Sequence, residues 1–317
     1  MKILNRNEIE QALAAVAPEQ IIAAIEQGFV QYSQGLANVP PVGELLMDKG
    51  EVHIKYGCIG GDDFYLVKVA SGFYGNPELG LASSNGLMLL FSQQTGQPVC
   101  ILLDEGYLTD VRTAIAGAVA AKYLAPKVVS AIGIVGTGTQ ARLQPRYLKS
   151  ITDCRHIVVW GRNSKKLADY QQDMQRQGFT VTVTRELGEL SQKANLIVTT
   201  TPSTTVLLKA AYIRPGTHIT AVGSDTADKQ ELESDILAMA DRVVADSMSQ
   251  CQQRGEISQA LKAKQISADK VLELGQVIAS GQGRSCQQHI TVADLTGVAV
   301  QDIKIAQMVY LYHQNQA

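Results

Sequence analysis

Near the start of the chain apolar residues recur at helical spacing, at Ile9, Leu13 and Val16 and again at Ile21, Ile22, Ile25 and Phe29. Pro18 interrupts the pattern, which predicts two short helices between Asn7 and Tyr32, followed by a loop from Gly35 to Pro41. From Glu44 to Leu103 the period changes. Short β-rich runs at Glu51–Tyr56, Tyr65–Ala70, Gly86–Phe91 and Pro98–Leu103 are punctuated by Gly60-Gly61-Asp62-Asp63 and Gln93-Gln94-Thr95-Gly96. Such punctuation predicts an antiparallel, strand-rich region. An alanine-rich helix should then run from Asp110 to Leu124, because alanine costs little entropy in a helix and Pro126 stops it.

After that helix strand-like and helical runs alternate: Ser130–Val135, Thr139–Ser150, Ile157–Trp160, Ser164–Gln177, Thr180–Thr184, Leu187–Lys193, Leu196–Thr200, His218–Val222, Gln230–Ala240 and Arg242–Ala245. Strands joined by helical crossovers pair in parallel and are covered on both faces. The expected fold class is therefore α/β: a Rossmann-type parallel sheet domain over 113–297 and a strand-rich α+β domain over 1–112. The apolar helical stretch from Val298 to Tyr312 is expected to complete the first domain, as 298–317.

Composition narrows the partners. A chain of 317 residues exceeds the length at which one core usually keeps growing, in keeping with two domains. With 45% hydrophobic and 18% charged residues it reads as an ordinary globular protein. A formal net charge of -2 leaves no basic surplus for a nucleic acid. No apolar stretch approaches the roughly 20 residues that span a bilayer, and Met1 to Glu8 turns polar at once, so neither a membrane nor a signal peptide is expected and the cytoplasm is the expected compartment. The five cysteines are scattered without a Cys-x-x-Cys pair, and no metal site is expected.

Chemistry enters at Gly136-Thr137-Gly138-Thr139-Gln140-Ala141, which follows the apolar run Ile132-Gly133-Ile134-Val135 and opens a predicted helix. That context suits a dinucleotide: Gly136 allows the tight turn, Gly138 lets the backbone approach a pyrophosphate, and Ala141 allows close helix–strand packing. The helix N-terminus favours the anion. At the end of the next strand, where an acid would bond the ribose hydroxyls of NAD, stands Trp160-Gly161-Arg162-Asn163-Ser164-Lys165-Lys166. Arg162, Asn163 and Ser164 are candidates for this end of the cofactor, and Arg162 favours NADP(H), with NAD(H) the alternative.

Three cations lie in or beside apolar elements of the first domain: Lys55, Lys68 and Arg112. For the two lysines, strand alternation leaves open a solvent-facing position or a buried functional one. Arg112 opens the alanine-rich helix, where a cation opposes the dipole unless an anion such as a substrate carboxylate binds there. In the second domain Asp225, in Gly223-Ser224-Asp225, lies just past the carboxyl end of a predicted parallel strand, the edge where open α/β sheets bind ligands. A helix-capping role is its alternative.

Taken together, these stretches resemble the ornithine cyclodeaminase/mu-crystallin family over nearly the whole chain. The resemblance is carried by Lys68 with Gly75-Asn76-Pro77, Leu108 to Ala114, the Gly136 to Ala141 turn, Gly223-Ser224-Asp225 with Lys229-Gln230-Glu231-Leu232, and Gly297 to Asp302. It implies a homodimer whose first domain, completed by the C-terminal helix, supplies the subunit interface and the substrate site. It also implies substrate-carboxylate and catalytic roles for Lys68 and Arg112, a hydroxyl near the substrate at Ser83, and an acid/base carboxylate at Asp225. Thr113, Thr200, Val222, Thr296 and Gly297 are further candidate cofactor positions. Where cyclodeaminases carry an arginine this chain has Pro40-Pro41-Val42, and Lys55 in His53-Ile54-Lys55-Tyr56-Gly57 could supply the charge. In this it is similar to the branch that reduces cyclic imines, so the expected activity is NAD(P)H-dependent reduction of Δ1-pyrroline-2-carboxylate or Δ1-piperideine-2-carboxylate to L-proline or L-pipecolate. Ornithine cyclodeamination and a non-catalytic, mu-crystallin-like binding role are the alternatives.

Overall fold

In the computed structural model, which describes residues 1–316, contacts gather the chain into two units: Met1–Arg112 with the segment that begins at Val298, and Thr113–Gly297. The first unit is built on a seven-stranded sheet of β1 (Lys2–Asn5), β2 (Ala37–Asn38), β3 (Gly43–Met47), β4 (Gly50–Ile59), β5 (Phe64–Gly72), β6 (Ser84–Ser92) and β7 (Pro98–Leu103). β4 to β7 form the expected antiparallel meander. One correction concerns β1, which pairs in parallel with β7 and makes the sheet mixed. Four residues with only Leu4 buried carry too little alternation to be read as a strand. β3 is a second addition to the strands that the sequence predicts, since Leu45, Leu46 and Met47 are all exposed and leave no pattern of period two.

The helices of this unit start where local chemistry allows. Asn5 and Glu8 form a reciprocal capping box on α1 (Arg6–Ala14), with Glu8 N donating to Asn5 Oδ1 at 3.1 Å. Pro18 opens α2 (Pro18–Ser33), where a missing N–H costs nothing. The C-terminal helix (Ala299–Asn315) packs on α1, α2 and the β4–β6 face. Gly28 of α2 makes that approach close, because a Cβ there would sit 3.2 Å from Lys304 Cγ.

Helix α3 (Tyr107–Leu124) begins three residues before its predicted start, held by Leu108 N donating to buried Asp104 Oδ2 at 2.8 Å. The second unit then lays down β8 (Ile132–Val135), β9 (His156–Trp160), β10 (Thr180–Thr184), β11 (Leu196–Thr199), β12 (His218–Ala221), β13 (Arg242–Ala245), β14 (Val271–Glu273) and β15 (Thr291–Asp294). They form one sheet in the order β10-β9-β8-β11-β12-β15-β13-β14, with every pairing parallel. Every residue of β8, β11, β12 and β15 is buried, as parallel strands covered on both faces should be.

The connections carry α4 (Thr139–Leu148), α5 (Ser164–Arg176), α6 (Leu187–Lys193), α7 (Ser234–Met239), α8 (Met248–Cys251), α9 (Gly255–Lys262) and α10 (Leu274–Ser280). Only Ser234–Met239 of the run Gln230–Ala240 is helical. The N–H groups of Glu231 and Leu232 donate to the Glu256 carboxylate, which holds that segment extended. Because all the strands are parallel, their carboxyl ends gather at one edge of the sheet.

Candidate active site

In the first unit Lys55 and Lys68 face each other across β4 and β5 as register partners. Both point to the helix-covered face and are 5% and 1% exposed, so neither is the solvent-facing lysine that alternation alone allowed. Buried cations need a partner. The C-terminal helix supplies it: Lys68 Nζ donates to Asp302 Oδ1 at 2.9 Å, and Arg112 Nε meets the same oxygen at 3.0 Å. Arg112 Nη1 also donates to Gln301 Oε1 at 3.2 Å.

Arg112 lies beyond the first turn of α3, which corrects the expectation that it opens the helix against the dipole. What makes its position tenable is Asp302. Burial alone would raise the Asp302 carboxyl, yet the charges of Lys68, Arg112 and Lys55 outweigh it and hold the group below its ordinary value. Burial, then the neighbouring Arg112, pushes Lys68 down to about 7 while Asp302 pulls the other way. Asp104, buried nearby, is raised by desolvation. Ser83 is not drawn into this cluster. It precedes β6, five residues from Met88, the register partner of Lys68, and its carbonyl accepts from Phe73 N at 2.7 Å.

In the second unit the glycine turn leaves β8 at the carboxyl edge. Gly136 adopts φ 122°, and a Cβ there would lie 2.6 Å from Thr200 Oγ1, so both conformation and space require glycine. Gly138 caps α4, and nothing lies within 4 Å of where its Cβ would be. No acid occupies the first turn of α4. An open cradle before a helix start of this kind fits the pyrophosphate of a dinucleotide. Arg142 braces the turn from behind: its guanidinium donates to Thr137 O and, through Nε and Nη2, to Asp173 Oδ2 at 3.0 and 2.9 Å. Ala141 is fully buried, and its carbonyl accepts from Tyr170 Oη at 2.9 Å.

The other candidate cofactor positions fall around the same edge. Arg162 is exposed just past β9, while Asn163 caps α5 by accepting from Lys166 N at 3.0 Å, so its side chain is already engaged, and Ser164 starts that helix. Thr200 Oγ1 donates to Val135 O at 2.9 Å, and Val222 follows β12. Thr296 Oγ1 and Gly297 N both donate to Asp246, at 3.1 and 2.6 Å. Thr113 lies in α3, and its carbonyl accepts from Gln144 Nε2 at 3.3 Å. Asp225 follows β12 in the loop, far short of α7, which removes the capping alternative. Buried Lys229 donates to Asp225 Oδ1 at 2.7 Å, and Arg254 Nη1 donates to its carbonyl at 3.3 Å.

Asp302, Arg142 and Asp246 are the functional additions that the structure makes to the residues singled out by the sequence. The one available signal is Asp302 itself, an acid between Gln301 and Ile303 in the predominantly apolar stretch that also carries Lys304. Among the described residues no group of His, Cys, Asp or Glu is arranged to hold a metal ion, and no helix is long and apolar enough to cross a membrane.

A parallel sheet with a glycine turn at its carboxyl edge defines a Rossmann-type, NAD-binding oxidoreductase fold. The chain belongs to the ornithine cyclodeaminase/mu-crystallin family, whose sequence profile it matches over residues 2–316. It is 38% identical to an uncharacterised cyclodeaminase of Sinorhizobium fredii, covering 98% of this chain and 95% of that one. It is 34% identical to the alanine dehydrogenase of Archaeoglobus fulgidus, covering 97% and 94%. Among solved structures, the Δ1-pyrroline-2-carboxylate reductase of Thermococcus litoralis in complex with NADH and L-proline superposes with a TM-score of 0.93 at 26% identity, covering 100% and 98%.

Two outcomes are expected from this geometry. Asp302→Asn strands two buried cations and should lower unfolding free energy in denaturant titrations by about 3 kcal/mol; a loss below about 1 kcal/mol would contradict the pairing. Gly138→Val meets no neighbour, so it should leave the melting temperature unchanged while weakening NADH binding at least tenfold by calorimetry.

Proposed function

We propose that the chain reduces the C=N bond of α-imino acids with a nicotinamide dinucleotide, acting on the cyclic imines Δ1-pyrroline-2-carboxylate and Δ1-piperideine-2-carboxylate to give L-proline and L-pipecolate. The donor inventory of Lys68 and Arg112 carries this reading. An ammonium has three N–H donors and a guanidinium five, yet among the described residues Lys68 bonds only Asp302, and Arg112 only Asp302 and Gln301. The remaining donors suit a carboxylate, with Lys55 adding charge beside Lys68. The likeness to a reductase bound to NADH and L-proline supports the ring.

When bound, the reduced nicotinamide supplies the hydride. Lys68 and Arg112 hold the substrate carboxylate, and fixing that geometry is worth several kcal/mol, on the order of effective-molarity gains. The Asp225 carboxylate, oriented by Lys229, serves the proton on the imine nitrogen, which makes the imine carbon a better hydride acceptor. Cyclodeamination of ornithine is the second reading, favoured by the Sinorhizobium relative. Buried Lys55 beside Lys68 counts against it, because a terminal ammonium would be repelled there. Arg162, with no acid from Gly161 to Lys166, favours NADP(H) through its 2′-phosphate. The outer face of β4 and β5, with a groove of about 420 Å³ beside Tyr56, Cys58 and Tyr65, is assigned to a homodimer contact, which light scattering checks.

Oxidation of NADPH should be fast with the two cyclic imines and slow with pyruvate plus ammonia, and ornithine with NAD should release no ammonia; the reverse pattern refutes the assignment. Asp225→Asn and Arg112→Ala should each lower kcat/KM on Δ1-pyrroline-2-carboxylate by two orders of magnitude or more with NADPH affinity retained. Arg162→Ala should erase a preference for NADPH over NADH. With Lys68 pushed down to about 7, binding a carboxylate favours its charged form. Substrate KM should therefore rise as pH climbs above about 7, and a flat KM from pH 6.5 to 9 would remove Lys68 from the site.

A further inference from the structure

Glu231 and Glu256 of the parallel-sheet unit have no part in the chemistry above, yet they are 0% and 1% exposed. Glu231 Oε1 accepts from both Thr201 N and Thr201 Oγ1 at 2.7 Å. Thr201 follows Thr200, the residue against which Gly136 is packed. The other oxygen of Glu231 lies against Gly223, where a Cβ would come within 2.4 Å of Oε2 and 2.2 Å of Thr201 O. One carboxyl group is thus wedged between the end of β11 and the loop that carries Asp225. Glu256 fixes its backbone from behind, accepting from Glu231 N at 2.7 Å and Leu232 N at 3.0 Å.

We propose that Glu231 is a positioning residue that clamps the Thr200–Thr201 end of β11 to the Gly223–Asp225 loop and so shapes the edge that receives the dinucleotide. The proposal rests on the dinucleotide-binding reading of that edge.

The surroundings favour the neutral form. Glu256 of α9, Thr199 and Thr201 at the end of β11, and Gly223 surround Glu231, with the Ser224 side chain and Asp294 on Glu256 and Asp246 beyond. The nearby cations Lys229 and Arg254 are bonded to Asp225. Burial first, then the charge of Glu256, pushes Glu231 up to about 8, and burial pushes Glu256 up to about 7. Glu231 Oε2 has no hydrogen-bond partner, so all of the side chain's hydrogen bonding runs through Oε1. Because the folded state holds this proton up to about pH 8 while the unfolded chain loses it near 4.5, stability falls as pH rises between those values. Above pH 8 the clamp carries a charge. Affinity for the dinucleotide then falls with the fraction of chains still protonated, about tenfold by pH 9.

The test is NADH titration of the full chain at pH 7 and pH 9, followed by calorimetry and by quenching of Trp160, the single tryptophan, whose carbonyl accepts from Gly136 N. Wild type should weaken about tenfold between the two pH values. Glu231→Gln, which mimics the neutral acid, should bind within twofold of wild type at pH 7 and stay there at pH 9. Glu231→Ala should bind at least tenfold more weakly at pH 7. Equal wild-type affinity at both pH values, or a Gln variant as weak as the Ala variant, overturns the proposal; should the Ala variant fail to fold, the wild-type and Gln arms decide alone. A wild-type chain that binds neither NADH nor NADPH overturns the dinucleotide reading itself, and the clamp with it.

Discussion

A single carboxylate oxygen, Asp302 Oδ1, holds the two buried cations of the first unit in place. Lys68 and Arg112 come from a strand and a helix, and each would be intolerable in its buried position without a counter-charge. Asp302 makes both tolerable while engaging few of their donors. The arrangement also explains why the C-terminal helix belongs to the first unit although it follows the second in sequence. Apolar packing against α2 and the sheet brings the helix in, and the ion triad fixes its rotation and register.

The second unit solves a different problem. Its parallel strands collect loops at one edge, but loops are soft, and a dinucleotide needs them fixed. Three side chains supply the rigidity: half-buried Arg142 behind the glycine turn, and buried Asp246 beneath Thr296 and Gly297 and Glu231 between Thr201 and Gly223. Each accepts or donates to main chain, so the loop backbone is held while its outward groups stay available.

Much of this was legible in the sequence for reasons that can be named. The alternation after residue 130 is long and strongly periodic, and β10, β13 and α6 match their predicted bounds. Gly136 was legible because only one residue type tolerates its dihedrals. Lys55, Lys68 and Arg112 were legible as cations in apolar contexts, but the group that neutralises two of them lies 190 or more positions away, and no local pattern reports such a distance. The short β1 lacked a readable period. The segment before α7 misled, because its helical propensity is overruled by two hydrogen bonds to Glu256, a tertiary effect invisible to propensity.

The order of the parallel sheet has a consequence for how the chain is made. β15 lies between β12 and β13, although about 45 residues of chain separate the end of β13 from its start. As the polypeptide leaves the ribosome, β13 and β14 can pair only with each other; they cannot join β12 until residues 291–294 have emerged. The sheet is therefore completed from its middle by a strand synthesised after both of its neighbours. That late strand leads directly into Thr296 and Gly297 and then into the helix that carries Asp302. Closure of the sheet and delivery of the charge that quiets Lys68 and Arg112 are thus consecutive events on one short stretch of nascent chain, and the buried cations wait for their counter-charge until that stretch has been made.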